Sequence, residues 1–257
     1  ESRRMNRALV RYPRSVFYPG LVSRVPGWRL RVAEPEFADA TDAILWQIFF
    51  RPDDAVVFCT YDGVRATARN PFEAALAARI ARLARAGMLD PETGERYTAE
   101  GFRAHGFAVI SPHRAQNSAV LGEMVAGGWP RAELPVVDTV ERMQGNEREM
   151  IVVSYAVADR EYAEREAGFI LNPNRFNVAI TRPKAKLVCF LSQDVLRTLP
   201  RDEAVMSRSL AVKGYTRQPG AHVVEVELPA PDGTSIAVRC HRWPIDPAPF
   251  SATTQEP

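Results

Sequence analysis

The chain has 257 residues, of which 46% are hydrophobic and 25% are charged, a balance that fits an ordinary soluble domain and excludes disordered and collagen-like proteins. The net charge of +2 argues neither for nor against a nucleic-acid partner. No apolar run approaches the roughly 20 residues that span a bilayer. The longest candidate, 43–50, is interrupted by Gln47, so we expect no membrane partner. Cys59, Cys189 and Cys240 form no CxxC pair and are expected to be buried, reduced thiols of a cytoplasmic protein.

Short β-rich apolar runs alternate with helical stretches along most of the chain. The runs that we predict to be buried parallel strands are 55–60, 107–111, 134–140, 150–156 and 186–192. Helices are predicted at 71–86, with Asn70 as its cap, and at 113–125. The polar segments 89–98 and 158–168 are predicted to be surface loops. This alternation favours a layered α/β domain whose ligands bind at the carboxyl ends of the strands.

The pattern changes after residue 204. Two alternating stretches, 222–228 and 235–240, flank a Pro-Asp-Gly turn and predict a β-hairpin. The last stretch is rich in proline and small polar residues. We therefore divide the chain into a main domain at 1–204, a hairpin extension at 205–243 and a flexible tail at 244–257.

Polar residues crowd at the predicted strand ends. The segment 109–116 passes from a strand into a helix, so that Ser111 and the free amides of the helix start could hold a phosphate. The simpler alternative is that Ser111 caps the helix and that Pro112 is its first residue. Taken alone, this segment favours the alternative.

Two further polar segments also allow both a ligand-binding and a purely structural interpretation. In 136–149, Gly145 would let backbone approach a ligand closely, or would merely turn a charged surface loop. In 174–184, Arg182 follows an apolar helical run and could donate paired hydrogen bonds to a phosphate, or could be a simple salt-bridge residue.

Together, in this order, the three segments resemble motifs IV, V and VI of superfamily 1 helicases, in the branch that includes RNA-decay and DNA-replication helicases. The matching sequences are Asp138-Thr139-Val140 and Gln144-Gly145-Asn146-Glu147 for motif V, and Asn177-Val178-Ala179-Ile180-Thr181-Arg182 for motif VI. Arg4-Met5, Phe17-Tyr18-Pro19-Gly20-Leu21 and Asn70-Pro71-Phe72-Glu73-Ala74 also agree with the family pattern, so that the resemblance covers residues 1–193. It implies the C-terminal motor half, with an α/β, RecA-like, P-loop NTPase-type three-layer fold and a mostly parallel sheet.

In such helicases ATP lies between two RecA-like domains, and the resemblance assigns nucleotide contacts to this chain. Arg182 and Arg4 match the arginines that reach the terminal phosphate and are the candidate catalytic residues. Glu147 would accept hydrogen bonds from the ribose. The remaining candidate nucleotide-binding residues are Gly145, Gln144 and Arg3, the last of which stands where the family often has a base-stacking tyrosine.

The same resemblance assigns strand contacts. Ser111, Pro112 and Thr139 match positions that contact the phosphates of single-stranded DNA or RNA, so that binding should be independent of base sequence. Gln116 is added to this set and, with Gln144, is expected to link the strand site to the nucleotide site.

The chain also departs from the family. Asn117 and Ser118 stand where relatives often carry another arginine, unless Arg114 replaces it, and Pro183 replaces an alanine. No Gly-x-x-x-x-Gly-Lys-Ser/Thr sequence occurs, so we expect a P-loop domain before Glu1 that holds Mg²⁺, no metal site in this chain, and no ATP hydrolysis by this piece alone. Two alternatives remain open, a catalytically weakened nucleotide-gated scaffold and a stand-alone binding module that works through its hairpin.

Overall fold

The computed structural model describes residues 1–246, in which strands and helices alternate. The strands are β1 (Asp54–Tyr61), β2 (Phe107–Ser111), β3 (Val136–Thr139), β4 (Arg148–Ser154), β5 (Pro183–Ser192), β6 (His222–Pro229) and β7 (Ser235–Pro244). The α-helices are α1 (Arg7–Val16), α2 (Ala40–Phe49), α3 (Pro71–Gly87), α4 (Ala99–Gly101), α5 (Arg114–Ala126), α6 (Arg160–Arg165), α7 (Ala167–Ile170), α8 (Pro173–Ile180), α9 (Gln193–Arg197) and α10 (Glu203–Lys213).

The strands form one seven-stranded sheet in the order β3-β2-β4-β5-β1-β7-β6. The first five strands of this order are mutually parallel, whereas β7 runs antiparallel to β1 and β6 antiparallel to β7. All residues of β1, β2 and β4 are buried, as expected of parallel strands that are covered on both faces. The carboxyl ends of the five parallel strands therefore meet at one edge, and their amino ends at the opposite edge.

Helices cover both faces of the sheet and complete three layers. One apolar cluster packs α2, α3 and α5 against one face, with Phe72 and Ile80 at its centre. The other packs α1, α8 and α10 against the opposite face, with Leu9 and Phe176 buried there. This is the layered α/β architecture that the alternation predicts.

The predicted strands and helices are largely confirmed. Asn70 caps α3 by accepting a hydrogen bond from the Glu73 amide at 3.2 Å. The predicted strand 134–140 shortens to the four residues of β3, which lies at the sheet edge. The prediction of a loop at 158–168 is wrong, because Asp159 accepts the Tyr162 amide and starts α6 there.

The predicted hairpin is present and continues the central sheet. β7 pairs with β1 from Asp54 to Tyr61, and Val238 and Cys240 lie in the same apolar cluster as the core of α3. The segment between the main domain and the hairpin contains α10 and a short 3-10 turn. The domain boundaries at 204 and 243 stay predictions, and most of the predicted tail lies outside the described residues. No helix in 1–246 is both long and apolar enough to cross a membrane.

Candidate nucleotide pocket and strand-binding edge

A pocket of about 540 Å³ opens at the amino ends of β4 and β5. Arg182 reaches it because the chain leaves α8 and turns into β5 at this residue. Its Nε donates to the Val178 carbonyl and its Nη2 to Thr181 Oγ1, both at 3.2 Å. The guanidinium is thus held by the end of α8, and its other N–H groups are left for a ligand.

Arg4 and Glu147 line the same pocket. Arg4 Nη1 donates to Glu147 Oε2 at 3.5 Å, and both side chains are partly exposed. Burial lowers the pKa of Arg182, the nearby charge of Arg4 lowers it further, and Glu147 opposes them. Both guanidinium groups line the pocket, and an anion such as phosphate bound there would relieve their repulsion.

Tyr18 belongs to the same pocket, although its sequence position alone does not mark it as a site residue. Tyr18 is 48% exposed, and its hydroxyl accepts a hydrogen bond from Asn177 Nδ2 at 2.7 Å. Arg3 is exposed and lines the pocket as well. The pocket therefore contains an aromatic residue as well as Arg3, which occupies the position where the family often has a tyrosine. The signal available in the sequence is Tyr18 within the Phe-Tyr-x-Gly stretch.

The structure does not bring Gln144 and Gly145 into this pocket. Both lie in an exposed turn after Thr139, and neither lines the cavity. Gly145 has a φ of 87°, in the left-handed region, while a Cβ built on it would meet nothing within 4 Å. Within the described chain, a glycine is needed at position 145 for the left-handed backbone of the turn, and not because another atom lies close to it. The predicted nucleotide contacts of Gln144 and Gly145 stay predictions.

Ser111 and Thr139 lie side by side at the opposite, carboxyl edge of the sheet. They are directly paired at the ends of β2 and β3. Ser111 Oγ accepts a hydrogen bond from the His113 amide at 3.2 Å. Pro112, between these two residues in the chain, is half-buried. The alternative in which Ser111 caps the helix at Pro112 is wrong, because α5 begins at Arg114 after His113, which makes no side-chain cap. Ser111 is fully buried and Thr139 is 9% exposed, so the edge combines two buried hydroxyl groups with a helix start that no side chain caps.

Gln116 lies in the interior rather than on this edge. Its Oε1 accepts the Asn70 amide at 2.7 Å, and its Nε2 donates to the Asn70 carbonyl at 3.2 Å and to Ser154 Oγ at 2.9 Å. Ser154 in turn donates to Glu73, which also accepts from the hydroxyl of Tyr61. Gln116 therefore fixes α5 to the start of α3 and to the end of β4, and its predicted strand contact remains a prediction.

Arg114, the candidate replacement for a missing arginine, is exposed at the start of α5. That position belongs to the carboxyl edge, and Arg114 does not line the pocket at the amino ends. Asn117 is buried one turn further along the helix. Among the described residues, the nucleotide pocket thus contains three arginines, namely Arg3, Arg4 and Arg182.

The polar groups of the pocket suit phosphate oxygens and not a magnesium ion. Guanidinium groups cannot be metal ligands, and Glu147 is already paired with Arg4. Within 1–246, no cluster of three or more His, Cys, Asp or Glu side chains could hold a metal.

Comparison with known proteins connects this geometry to a family. Residues 1–194 match a family model described as "AAA domain". The chain is 34% identical over 107 residues to "Putative helicase mov-10-B.1" of Danio rerio, covering 40% of this chain and 11% of that protein. It is 28% identical over 190 residues to "DNA replication ATP-dependent helicase/nuclease JHS1" of Arabidopsis thaliana, covering 68% of this chain and 13% of that protein.

A third relative, "DNA replication ATP-dependent helicase/nuclease DNA2" of Gallus gallus, is 31% identical over 124 residues, which cover 48% of this chain and 12% of that protein. The chain thus spans little more than a tenth of the length of these curated relatives. With the α/β sheet, these matches confirm the predicted resemblance to superfamily 1 helicases and the RecA-like fold.

Proposed function

The chain belongs to the AAA domain family, and on that premise we propose that it is the C-terminal motor half of an ATP-dependent nucleic-acid helicase or translocase. The observation that supports the proposal is that two groups of polar side chains lie at opposite ends of the parallel strands of one sheet. Arg182 and Glu147 lie at the amino ends of β5 and β4, whereas Ser111 and Thr139 lie at the carboxyl ends of β2 and β3. A motor needs two separate sites, because the nucleotide and the nucleic-acid strand must bind to the same domain at the same time.

At the nucleotide site, Arg182 and Arg4 contact the terminal phosphate of ATP. Negative charge is spread over the transferring phosphoryl group, and guanidinium groups that are already in place stabilise it without reorganisation. Glu147 holds Arg4 in position and accepts a hydrogen bond from the ribose. Arg3 and the exposed ring of Tyr18 offer flat surfaces for the base. The P-loop and the Mg²⁺ ligands come from a preceding RecA-like domain of the same protein.

At the strand site, the hydroxyl groups of Ser111 and Thr139 and the first amides of α5 donate hydrogen bonds to the phosphates of a single strand. Pro112 packs beside them. Because these contacts involve the backbone of DNA or RNA and not the base edges, binding is independent of sequence. Gln116 acts as a positioning residue that holds the start of α5 in place.

The test is the ATPase activity of the longer protein that joins this chain to its P-loop domain. Arg182→Gln should lower kcat by roughly three orders of magnitude, the size expected for loss of an arginine finger, and leave the affinity for single strands unchanged. The matched control is Arg103→Gln, since Arg103 is exposed before β2 and lies outside the pocket. An unchanged kcat in the Arg182 variant would contradict the proposed role.

A catalytically weakened scaffold is the second candidate, and the arginine at position 3 favours it. In that case the longer protein would bind ATP but show no strand-stimulated hydrolysis, and Arg3→Tyr would raise the rate. A motor instead hydrolyses ATP before any such change. Comparison of the unmodified protein and Arg3→Tyr, with and without single strands, distinguishes the two.

A further inference from the structure

A second cavity, of about 260 Å³, lies between β1, β7, α9 and the end of α10. Its lining is unusually cationic, with five basic side chains and no Asp or Glu among the described residues. These five are Arg197, Lys213, Arg217, Arg239 and His241. None of them belongs to the helicase-like motifs. Thr60 and Gln193 complete the polar part of the wall.

The charges in this cavity are only partly neutralised. Arg197 and Arg239 form exposed ion pairs with Asp62 and Glu225, which lie outside the cavity. Arg217 is exposed and makes no ion pair within residues 1–246.

The two least exposed bases in the cavity are Lys213 and His241, and both have lowered pKa values, mainly through burial. Lys213 is almost completely buried and donates through Nζ to the Thr198 carbonyl. Burial lowers the pKa of Lys213, and the nearby charge of Arg217 lowers it further. The pKa of His241 is lowered by burial and then by Arg239. An anion in the cavity would remove these repulsions.

The position of the cavity indicates which anion it takes. Thr60 lies at the carboxyl end of β1, and Gln193 directly follows β5. The cavity therefore lies near the same edge as Ser111 and Thr139, on the face of the sheet that α10 covers, whereas strand alternation directs Ser111 to the other face. From β2 to β1 the sheet order crosses three strand spacings, roughly 14 Å at about 4.8 Å each. A strand that is bound at Ser111 and continues along the edge would bring later phosphates to the cavity.

We propose that this cavity is a second phosphate-binding site, which holds the backbone of the same single strand some nucleotides away from Ser111 and Thr139. The inference rests on the proposed strand-binding function. It assigns a role to the hairpin, because β7 supplies Arg239 and His241 opposite β1. Arg217 and Arg239 donate to phosphate oxygens, and the Thr60 hydroxyl and Gln193 amide add neutral donors.

The test measures binding of fluorescent oligo-dT to this chain by anisotropy over a series of salt concentrations. Arg217→Gln and the double variant Arg217→Gln/Arg239→Gln should each weaken binding. They should also reduce the slope of log K against log[salt] by about 0.7 for each phosphate of the single strand that is no longer neutralised. Arg103→Gln, an exposed arginine at the opposite edge, should leave the slope unchanged. Thermal unfolding of each variant establishes that it is folded.

Oligonucleotide length and a phosphate control separate the outcomes. Strands too short to reach the cavity from Ser111 should not distinguish Arg217→Gln from wild type, whereas longer ones should. If Thr139→Val weakens binding and the arginine variants do not, the cavity is not on the strand path and the inference is overturned. It is also overturned if Arg217→Gln abolishes stabilisation by inorganic phosphate without changing strand binding. If wild type binds no strand, the proposed function fails together with the inference.

Discussion

At the residue scale, two fully buried ionisable side chains dominate the electrostatics of the core. Burial raises the pKa of Glu73 to about 7, although Ser154, Tyr61 and the Ala156 amide all donate to its carboxylate. Burial lowers the pKa of Lys186 to about 7, although Asp54 partly opposes this. Burial thus shifts the two pKa values in opposite directions, so that both side chains change their charge near neutral pH.

Glu73 should make the chain more stable in mild acid. Since its folded pKa lies above its unfolded value, its contribution is fully present below about pH 4.5 and is lost as the pH rises through about 7. The loss should be on the order of 3 kcal/mol. Urea unfolding of wild type and Glu73→Gln between pH 4.5 and 8 measures it, with exposed Glu92→Gln as the control. An identical pH dependence in Glu73→Gln would refute the role of this carboxyl.

Lys186 should make the free energy of unfolding increase with pH, in a higher pH range than the decrease caused by Glu73. Its folded pKa lies below its unfolded value, so its cost is fully present below about pH 7 and disappears as the pH rises towards about 10.5. Stability should therefore increase over this range in wild type. Lys186→Met removes the charge and keeps the length of the side chain. In the same urea experiment, this variant should show a smaller increase in stability as the pH rises from about 7 to about 10.5. Because Nζ donates to the Arg51 carbonyl at 2.7 Å, the variant also leaves that carbonyl without its partner.

The sequence identifies the charged residues of the nucleotide pocket better than its aromatic residue. Arg182, Arg4 and Glu147 stand in motifs whose spacing is local, so the resemblance extends to their positions. Tyr18 reaches the pocket only through the fold, which packs the end of α1 beside the start of β5. Gln116 carries no local sign that it would be buried, because its partners Asn70 and Ser154 are 46 and 38 residues away.

At the element scale, the contact between α2 and α3 depends on a residue without a side chain. A Cβ on Gly87 would lie 2.2 Å from a ring carbon of Trp46, and that ring is itself stacked on Phe50 at 4.5 Å. The ring has little freedom to move away. Gly122 in α5 offers the contrast, since a Cβ there would meet nothing within 4 Å.

We therefore predict opposite effects for the same substitution in two helices. Gly87→Ala should lower the free energy of unfolding by about 1–3 kcal/mol through overpacking. Gly122→Ala should raise it by about 0.5–1 kcal/mol, since alanine has the higher helix propensity. Urea midpoints of the two variants at one pH give the comparison. Destabilisation of similar size in both would show that packing against Trp46 is not the cause.

The strands are easier to predict than the short helices. Long apolar runs such as 107–111 are buried on both faces and leave a clear pattern. α6 has six residues, only one of them buried, so its periodicity cannot be recognised and only the cap at Asp159 reveals it. The sequence pattern does not predict α1 and α2, and α1 carries Pro13 within it. Their amphipathic faces are defined by the sheet on which they pack.

At the scale of the whole molecule, the sheet forms the core and also separates the candidate nucleotide pocket from the candidate strand-binding edge. Its hairpin follows from the alternating pattern, but the attachment of that hairpin to β1 depends on long-range pairing that no local signal encodes. Removing the segment after residue 204 would take Val238 and Cys240 out of the apolar cluster and expose the β1 residues that β7 covers, such as Cys59. A deletion therefore cannot separate a motor from a hairpin-based binder, and point substitutions on the hairpin are the cleaner experiment.

The length of the strands sets how strongly the two edges communicate. β4 has seven residues, so that the nucleotide pocket and the strand edge are roughly 20 Å apart, beyond the Debye length of about 10 Å at 0.1 M salt. Without nucleotide, Arg182→Gln should therefore change the strand affinity of this chain by less than about 0.5 kcal/mol. Thr139→Val, which keeps the shape but removes the hydroxyl, should cost about 1.5–3 kcal/mol if that group donates to a phosphate.

The double variant Arg182→Gln/Thr139→Val completes the cycle and should equal the sum of the single variants within about 0.5 kcal/mol. Anisotropy titrations with one oligo-dT at fixed salt provide all four affinities. Additivity would mean that the sheet behaves as a rigid spacer and that, under the proposed function, ATP is coupled to the strand through movement of the proposed preceding domain. A coupling energy well above about 1 kcal/mol would instead place the communication within this chain, where the Gln116–Ser154–Glu73 network beside β4 offers a connected route for it.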